Sequence, residues 1–180
     1  MDQQSRVKRF EEAVVAHLDA AYDFARWLTR DERTAEDVVQ EACLRAFRFL
    51  ESLRGDNARA WLLAIVRNTY YTSLKRNQVE SLSVPFDEET IAAHEASELD
   101  GWQGAAEQLL HQEDARRLVN DALARLPDEF REVIVLRELE DLSYKEIARI
   151  AGVPLGTVMS RLARARKLLL QHLKRAQKES

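Results

Sequence analysis

Apolar residues recur along this chain at steps of three and four, the spacing that turns one face of an α-helix toward a core. Phe10, Val14, Leu18, Ala21, Ala25 and Leu28 form a first stripe. Val38, Ala42, Ala46, Phe49 and Leu53 form a second, after a Thr34 cap with Asp37 at its third position. A third helix is predicted from about Asn57 to Arg76, with Trp61, Ile65 and Thr69 or Leu62 and Val66 turned inward. The glycine-containing turn Arg54-Gly55-Asp56-Asn57 joins the last two. No segment alternates apolar and polar residues as a half-buried strand does. The pattern predicts an all-α protein that begins with a helical bundle.

Helical periodicity resumes over Leu109 to Leu126. Pro127, with Asp128 and Glu129 behind it, opens a further helix whose core face is Phe130, Val133, Ile134, Leu136 and Leu139. The stretch LSYKEIARIAGVPLGTVMSRLARAR, Leu142 to Arg166, then carries the densest local signals in the chain. Ser143 and Glu146 have the spacing of a capping box. Gly152 stands where a helix ends in a left-handed residue, and Val153-Pro154-Leu155-Gly156 cannot continue it. A second helix restarts near Leu155, with Val158, Leu162, Ala165 and Leu169 facing inward. Between the helices, Ala148 is small enough for a close crossing. These features describe a helix-turn-helix. Its outer face carries Thr157, Ser160, Arg161, Arg164 and Lys167, the hydroxyls and guanidinium groups that major-groove reading uses. A solvated hairpin with a basic face would need only the last of these features; cap, crossing residue, stop and charge together favour DNA.

Between these halves the composition shifts. From Asn77 through Ala115 there is no Lys or Arg, while ten Asp and Glu fall there, with Pro85, Gly101 and Gly104. Residues 78–104 are therefore expected to form a flexible acidic linker between an amino-terminal domain, 1–77, and a carboxyl-terminal domain, 105–180. A net charge of −4 argues against indiscriminate nucleic-acid binding, so basic residues at the two ends matter more than the sum. Cys43 is the single cysteine, which excludes an intrachain disulfide. His17, His94, His111 and His172 share no ligand spacing, and neither a metal nor any other cofactor is expected. No apolar run approaches membrane-spanning length and the amino terminus lacks a signal-peptide pattern, so a cytoplasmic protein without membrane insertion is expected.

Two polar faces invite a chemical reading. Asp37, Gln40 and Glu41 share one surface of the second helix. Arg67, Asn68, Tyr71 and Thr72 line one side of the third, followed by Lys75 and Arg76. Such groups can hold an extruded base, stack on it and neutralise the phosphates of a separated strand. Tyr70 and Tyr71 cannot both be buried on the same face, and Tyr71 is taken as the DNA-side ring; Trp61 is assigned to the core.

At the residue level the chain resembles an extracytoplasmic-function RNA polymerase sigma factor of the sigma-70 family. AEDVVQEACLRAFRFL (Ala35 to Leu50) resembles the family's polymerase-clamp-binding helix, and RAWLLAIVRNTYYTSLKR (Arg59 to Arg76) its promoter-melting helix. LPDEFREVIVLRELEDLSYKEIARIAGVPLGTVMSRLARAR resembles its upstream-promoter reader. The resemblance implies that Asp37, Gln40 and Glu41 face core RNA polymerase. It implies that Arg54, Asn57, Arg67, Asn68, Tyr71, Thr72, Lys75 and Arg76 serve the minus-ten element, with Asn68 and the turn from Arg54 to Asn57 holding a flipped base. Gly156, Thr157, Met159, Ser160, Arg161 and Arg164 would contact the minus-thirty-five element. Met159 departs from the basic or polar residue often found there, and would replace a hydrogen bond with an apolar contact to a thymine methyl. By place and charge the linker resembles the family segment that threads a nucleic-acid channel of the polymerase; a solvated tether explains its composition equally well.

The resemblance implies promoter DNA and core polymerase as partners, with an anti-sigma factor that holds the protein inactive, and no small-molecule substrate. A free-standing helix-turn-helix regulator is the alternative, and it leaves Asp37, Gln40 and Glu41 without a role. An enzyme is not expected: the sequence offers no nucleophile with a base, no phosphate-cradling glycine loop and no clustered carboxylates of ligand spacing.

Overall fold

A computed structural model of the chain describes residues 2–80 and 113–179. Among the described residues every regular element is helical. The expected acidic linker, 78–104, lies outside the described residues from position 81 onward.

The first stripe spans a break. Helix α1, Gln3–Ala13, gives way at Val14 and Val15 to a short 3-10 turn, and helix α2 begins again at Leu18 and runs to Thr29. Adjacent β-branched residues, which lose side-chain freedom in a helix, mark this point. Val14, Ala21, Ala25 and Leu28 are buried, joined by Phe24 from the same face. Helix α1 folds back along the bundle: Arg6 donates to the Phe47 carbonyl at 3.0 Å and Arg9 to the Leu53 carbonyl at 2.9 Å.

Helix α3, Glu32–Arg48, is capped by Asp31, three residues before the expected cap. Asp31, in extended backbone, accepts from the Thr34 amide at 2.8 Å and from its hydroxyl at 2.6 Å, and these bonds lower the carboxyl pKa. Thr34 is thus the residue being capped. Val38, Ala42 and Ala46 are buried, but Phe49 caps the helix end and is 60% exposed, its place in the core taken by Leu50 in the 3-10 turn that follows. Gly55 adopts φ 72°, which turns the chain into helix α4, Ala58–Glu80. Asn57 caps that helix by accepting from the Ala60 amide at 3.2 Å. Leu62, Leu63, Val66, Thr69 and Tyr70 face inward. Trp61 is only half-buried, with its indole N–H donating to Ser52 Oγ at 3.3 Å.

In the carboxyl-terminal unit, helix α5 (Glu113–Ala124) and helix α6 (Asp128–Ile134) lead into a π-helical turn over Val135–Leu139. The Glu140 amide bonds the Val135 carbonyl at 3.1 Å, five residues back. The wider turn slips the phase by one position. Leu139, expected inside, is 51% exposed, while Val135 and Glu140 are buried.

Helix α7, Tyr144–Ala151, and helix α8, Leu155–Lys178, form the helix-turn-helix. Both halves of the capping box are present: the Ser143 amide donates to Glu146 at 2.8 Å and the Glu146 amide to Ser143 Oγ at 3.2 Å. Gly152 ends α7 at φ 66°. Val158, Leu162, Ala165 and Leu169 are all buried, and Leu173 extends the face. Burying a leucine of this kind contributes about 2 kcal/mol.

The two units do not keep separate cores. Their buried residues merge into one cluster where α2 meets α6 and the π turn, and where α4 meets α7. No helix among the described residues is long and apolar enough to cross a membrane.

Candidate nucleic-acid and polymerase interfaces

Three polar faces can be located. On α3, Asp37, Gln40 and Glu41 are all exposed, and Glu41 pairs with Arg45 one turn on at 3.0 Å. The same face continues into Leu44, which is 59% exposed, and borders Phe47. Phe47 lies under the Arg6 guanidinium, 4.8 Å from its ring centre, and edge-on to Phe10. Neither Leu44 nor Phe47 was singled out by the sequence, although Leu44 follows Gln40 by one helical turn. An acidic face beside exposed apolar side chains is suited to a protein partner.

The second face lies on α4. Arg54 and Asn68 are exposed, as are Lys75 and Arg76. The Thr72 hydroxyl donates back to the Asn68 carbonyl at 2.7 Å. The other three residues meet the carboxyl-terminal unit. Arg67 Nε donates to both Glu132 oxygens at 3.1 Å and its guanidinium lies 4.5 Å over the Tyr71 ring. The Tyr71 hydroxyl donates to the same carboxylate at 2.9 Å. Asn57 donates to Glu146.

Residues the sequence did not mark complete this contact. Arg59 bonds the buried Glu140, the Tyr70 hydroxyl approaches Asp128 at 3.4 Å, and Arg30 reaches both Asp128 and the Ala124 carbonyl. The fully buried Arg131 also pairs with Asp128. Across the contact the amino-terminal unit supplies the donors, and the carboxyl-terminal unit the acceptors: the carboxylates of Asp128, Glu132, Glu140 and Glu146 and the Ala124 carbonyl.

Burial sets the electrostatics here. Glu132 has no exposed surface, and desolvation raises its pKa against the opposing pull of Arg67 and Tyr71. Burial and then the Glu132 charge push the Tyr71 phenol far above its ordinary value. Tyr70 is pushed up to about 12 by burial and by Asp128. Both tyrosines are therefore neutral donors at physiological pH.

The third face opens α8. Gly156, Met159 and Ser160 are exposed, Thr157 is half-exposed, and the Ser160 hydroxyl donates to the Thr157 carbonyl at 3.1 Å. Arg161 lies 3.7 Å from Glu129, and Arg164 is half-exposed. Arg166, one of the nearby basic residues, bonds Glu138 at 2.8 Å and braces the helix against the segment before it. The front of α8 thus offers a bare backbone at Gly156, one thioether, hydroxyls and arginines on one surface.

The sequence and structure of this chain are similar to known proteins over both units. A family model for sigma-70 region 2 matches residues 13–80, and one for sigma-70 region 4 matches residues 116–169. The chain is 31% identical to the ECF RNA polymerase sigma factor SigE of Mycolicibacterium smegmatis over 178 residues, 98% of this chain and 66% of that relative. It is 39% identical to the ECF RNA polymerase sigma-E factor of Escherichia coli K12 over 141 residues, 74% of this chain and 70% of that relative. The chain thus spans about two thirds of the length of these relatives. Among solved structures it is similar to the sigma factor RpoE in complex with the anti-sigma factor NepR from Bartonella quintana, with a TM-score of 0.69 and 30% identity over 93% of this chain and 98% of that one. CnrH in complex with the cytosolic domain of CnrY matches with a TM-score of 0.60 and 26% identity, over 92% of this chain and 87% of that one.

Proposed function

This chain belongs to the extracytoplasmic-function sigma factors of the sigma-70 family, and from that premise we propose that it joins core RNA polymerase, directs it to a two-element promoter and starts transcription there. The observation that carries the reading is the order of parts in one chain: a region 2 match over the bundle with α4, and a region 4 match over the helix-turn-helix. A repressor needs only the second part.

In this reading the Asp37, Gln40 and Glu41 face of α3 docks on polymerase, with Leu44 adding apolar contact beside it. Helix α4 takes a separated strand: Asn68 and the turn Arg54 to Asn57 hold a base, Tyr71 stacks, and Arg67, Lys75 and Arg76 meet phosphate, assisted by Thr72. Helix α8 enters the major groove, where Gly156 allows close approach, Thr157, Ser160, Arg161 and Arg164 contact bases and phosphates, and Met159 meets a thymine methyl. Polymerase supplies the chemistry, so the protein itself is no enzyme, and it works beside polymerase in the cytoplasm. The names of its structural neighbours support an anti-sigma factor as a further partner.

The test is a binding measurement. Asp37 is exposed on α3, so Asp37→Arg should leave helicity unchanged and abolish binding to core polymerase. Wild-type affinity in that variant would refute the docking face.

A further inference from the structure

Two exposed apolar side chains stand on successive turns at the front of α8. Leu155, its first residue, is 41% exposed, and Met159, one turn on, is 53% exposed. Neither belongs to the buried face that Val158, Leu162, Ala165 and Leu169 form. At about 100° per residue, Leu155, Met159 and the half-exposed Ala163 make one edge of the outer face, with Gly156, Ser160 and Arg164 along its middle. That edge carries no hydrogen-bonding side chain. Beside it, the Ser160 hydroxyl hydrogen is committed to the Thr157 carbonyl, and the space a side chain would fill at Gly156 is open.

The first turns of a recognition helix are the ones that meet base edges. An edge without donors or acceptors cannot tell bases apart by hydrogen bonds, and the group in the major groove that suits it is the thymine methyl. Residues one helical turn apart have Cβ atoms about 5–6 Å apart. Stacked base pairs follow one another at about 3.4 Å along the duplex, so a leucine and a methionine at this spacing reach two neighbouring pairs. Two side chains set among hydroxyls and guanidinium groups make a smaller apolar patch than protein docking uses.

We infer that Leu155 and Met159 together read the methyl groups of thymines in two neighbouring base pairs, which makes Leu155 a specificity-determining residue for the upstream promoter element. The inference rests on the reading that α8 enters the major groove, and it extends that reading from one thymine at Met159 to a pair.

The test selects duplexes of random sequence with the full chain, alone and joined to core polymerase, and then replaces each thymine of the recovered element by uracil, which removes only the methyl. The recovered element should hold thymines in two neighbouring pairs, and each replacement should weaken wild-type binding about fourfold, the factor carried by one buried methyl group. This measurement needs no variant. Leu155→Ala should weaken binding by a similar factor and abolish the effect of uracil at one of the two positions while leaving it at the other; Met159→Ala should do the reverse. An element without neighbouring thymines would overturn the pair, as would a Leu155→Ala chain that keeps the uracil effect at both positions or loses affinity equally on all sequences. A Leu155→Ala chain that loses core polymerase and keeps its discrimination would make Leu155 a protein contact and overturn it too. If a methyl-dependent element is recovered while no form directs polymerase to defined starts, the pair stands and the promoter reading fails; if starts are defined and their upstream element is indifferent to uracil, the promoter reading stands and the pair falls. Recovery of no sequence by either form would overturn both.

Discussion

The Tyr71 hydroxyl donates to the Glu132 carboxylate across 2.9 Å, tying the helix proposed to hold the melted strand to a helix of the carboxyl-terminal unit. Arg67 completes the triad from the turn before. The energetics of this contact decide whether the two units act together or apart.

Because Glu132 is fully buried, removing its partner leaves a stranded charge. Arg67→Met should destabilise the chain by about 3 kcal/mol, the low end for breaking a buried pair because Arg67 keeps some exposure. Arg67→Met with Glu132→Leu should recover most of that loss. Urea midpoints of the two variants check it; equal losses would mean that the pair is not what stabilises the contact.

Alkaline pH should weaken the same contact. Tyr70, pushed up to about 12, and Tyr71, raised further, both have folded values above their ordinary value of 10. Their contribution is full below pH 10 and is lost as pH rises through the folded values. A spectrophotometric titration of tyrosinate should lose its latest step in Tyr71→Phe, and scattering should show the wild-type chain expanding over that range.

Two glycines of the helix-turn-helix should respond oppositely to alanine. Neither would bring a Cβ within 4 Å of a neighbour, but Gly152 sits at φ 66° and Gly156 does not lie in the left-handed region. Gly152→Ala should cost about 1 kcal/mol, and Gly152→Asn less. Gly156→Ala should stabilise the helix by about 0.5–1 kcal/mol while weakening promoter binding, since the new methyl stands where α8 is proposed to approach DNA. Melting curves and a DNA titration separate the two effects; unchanged DNA affinity in Gly156→Ala would remove that residue from the interface.

Glu129, 3.7 Å from Arg161, stands in competition with the DNA proposed to bind that guanidinium. Glu129→Gln should strengthen promoter binding modestly. Arg161→Ala should lose roughly 1–3 kcal/mol on one promoter and less on bulk DNA. An equal loss on all sequences would make Arg161 a phosphate contact.

How far the fold was legible depended on how local its signals are. Ser143, Glu146 and Gly152 act within one or two helical turns, and the helix-turn-helix came out as read. The α3 cap was misplaced because Asp31 and Thr34 are both capable caps; what decides is that Arg30 turns left-handed and Asp31 is extended. Nothing in the side chains of Val135 to Leu139 announces a bond five residues long, so the exposure of Leu139 and the burial of Glu140 were invisible. Glu132 carried no signal at all. Its role depends on Arg67 and Tyr71, more than sixty residues earlier in the chain.

The most direct test of the central claim is run-off transcription from fragmented bacterial DNA with core polymerase, with and without this protein, followed by sequencing of the transcript starts. Defined starts sharing two spaced upstream motifs are the predicted result. A protein that binds DNA, creates no start and never joins core polymerase would contradict it and leave a free-standing regulator in its place.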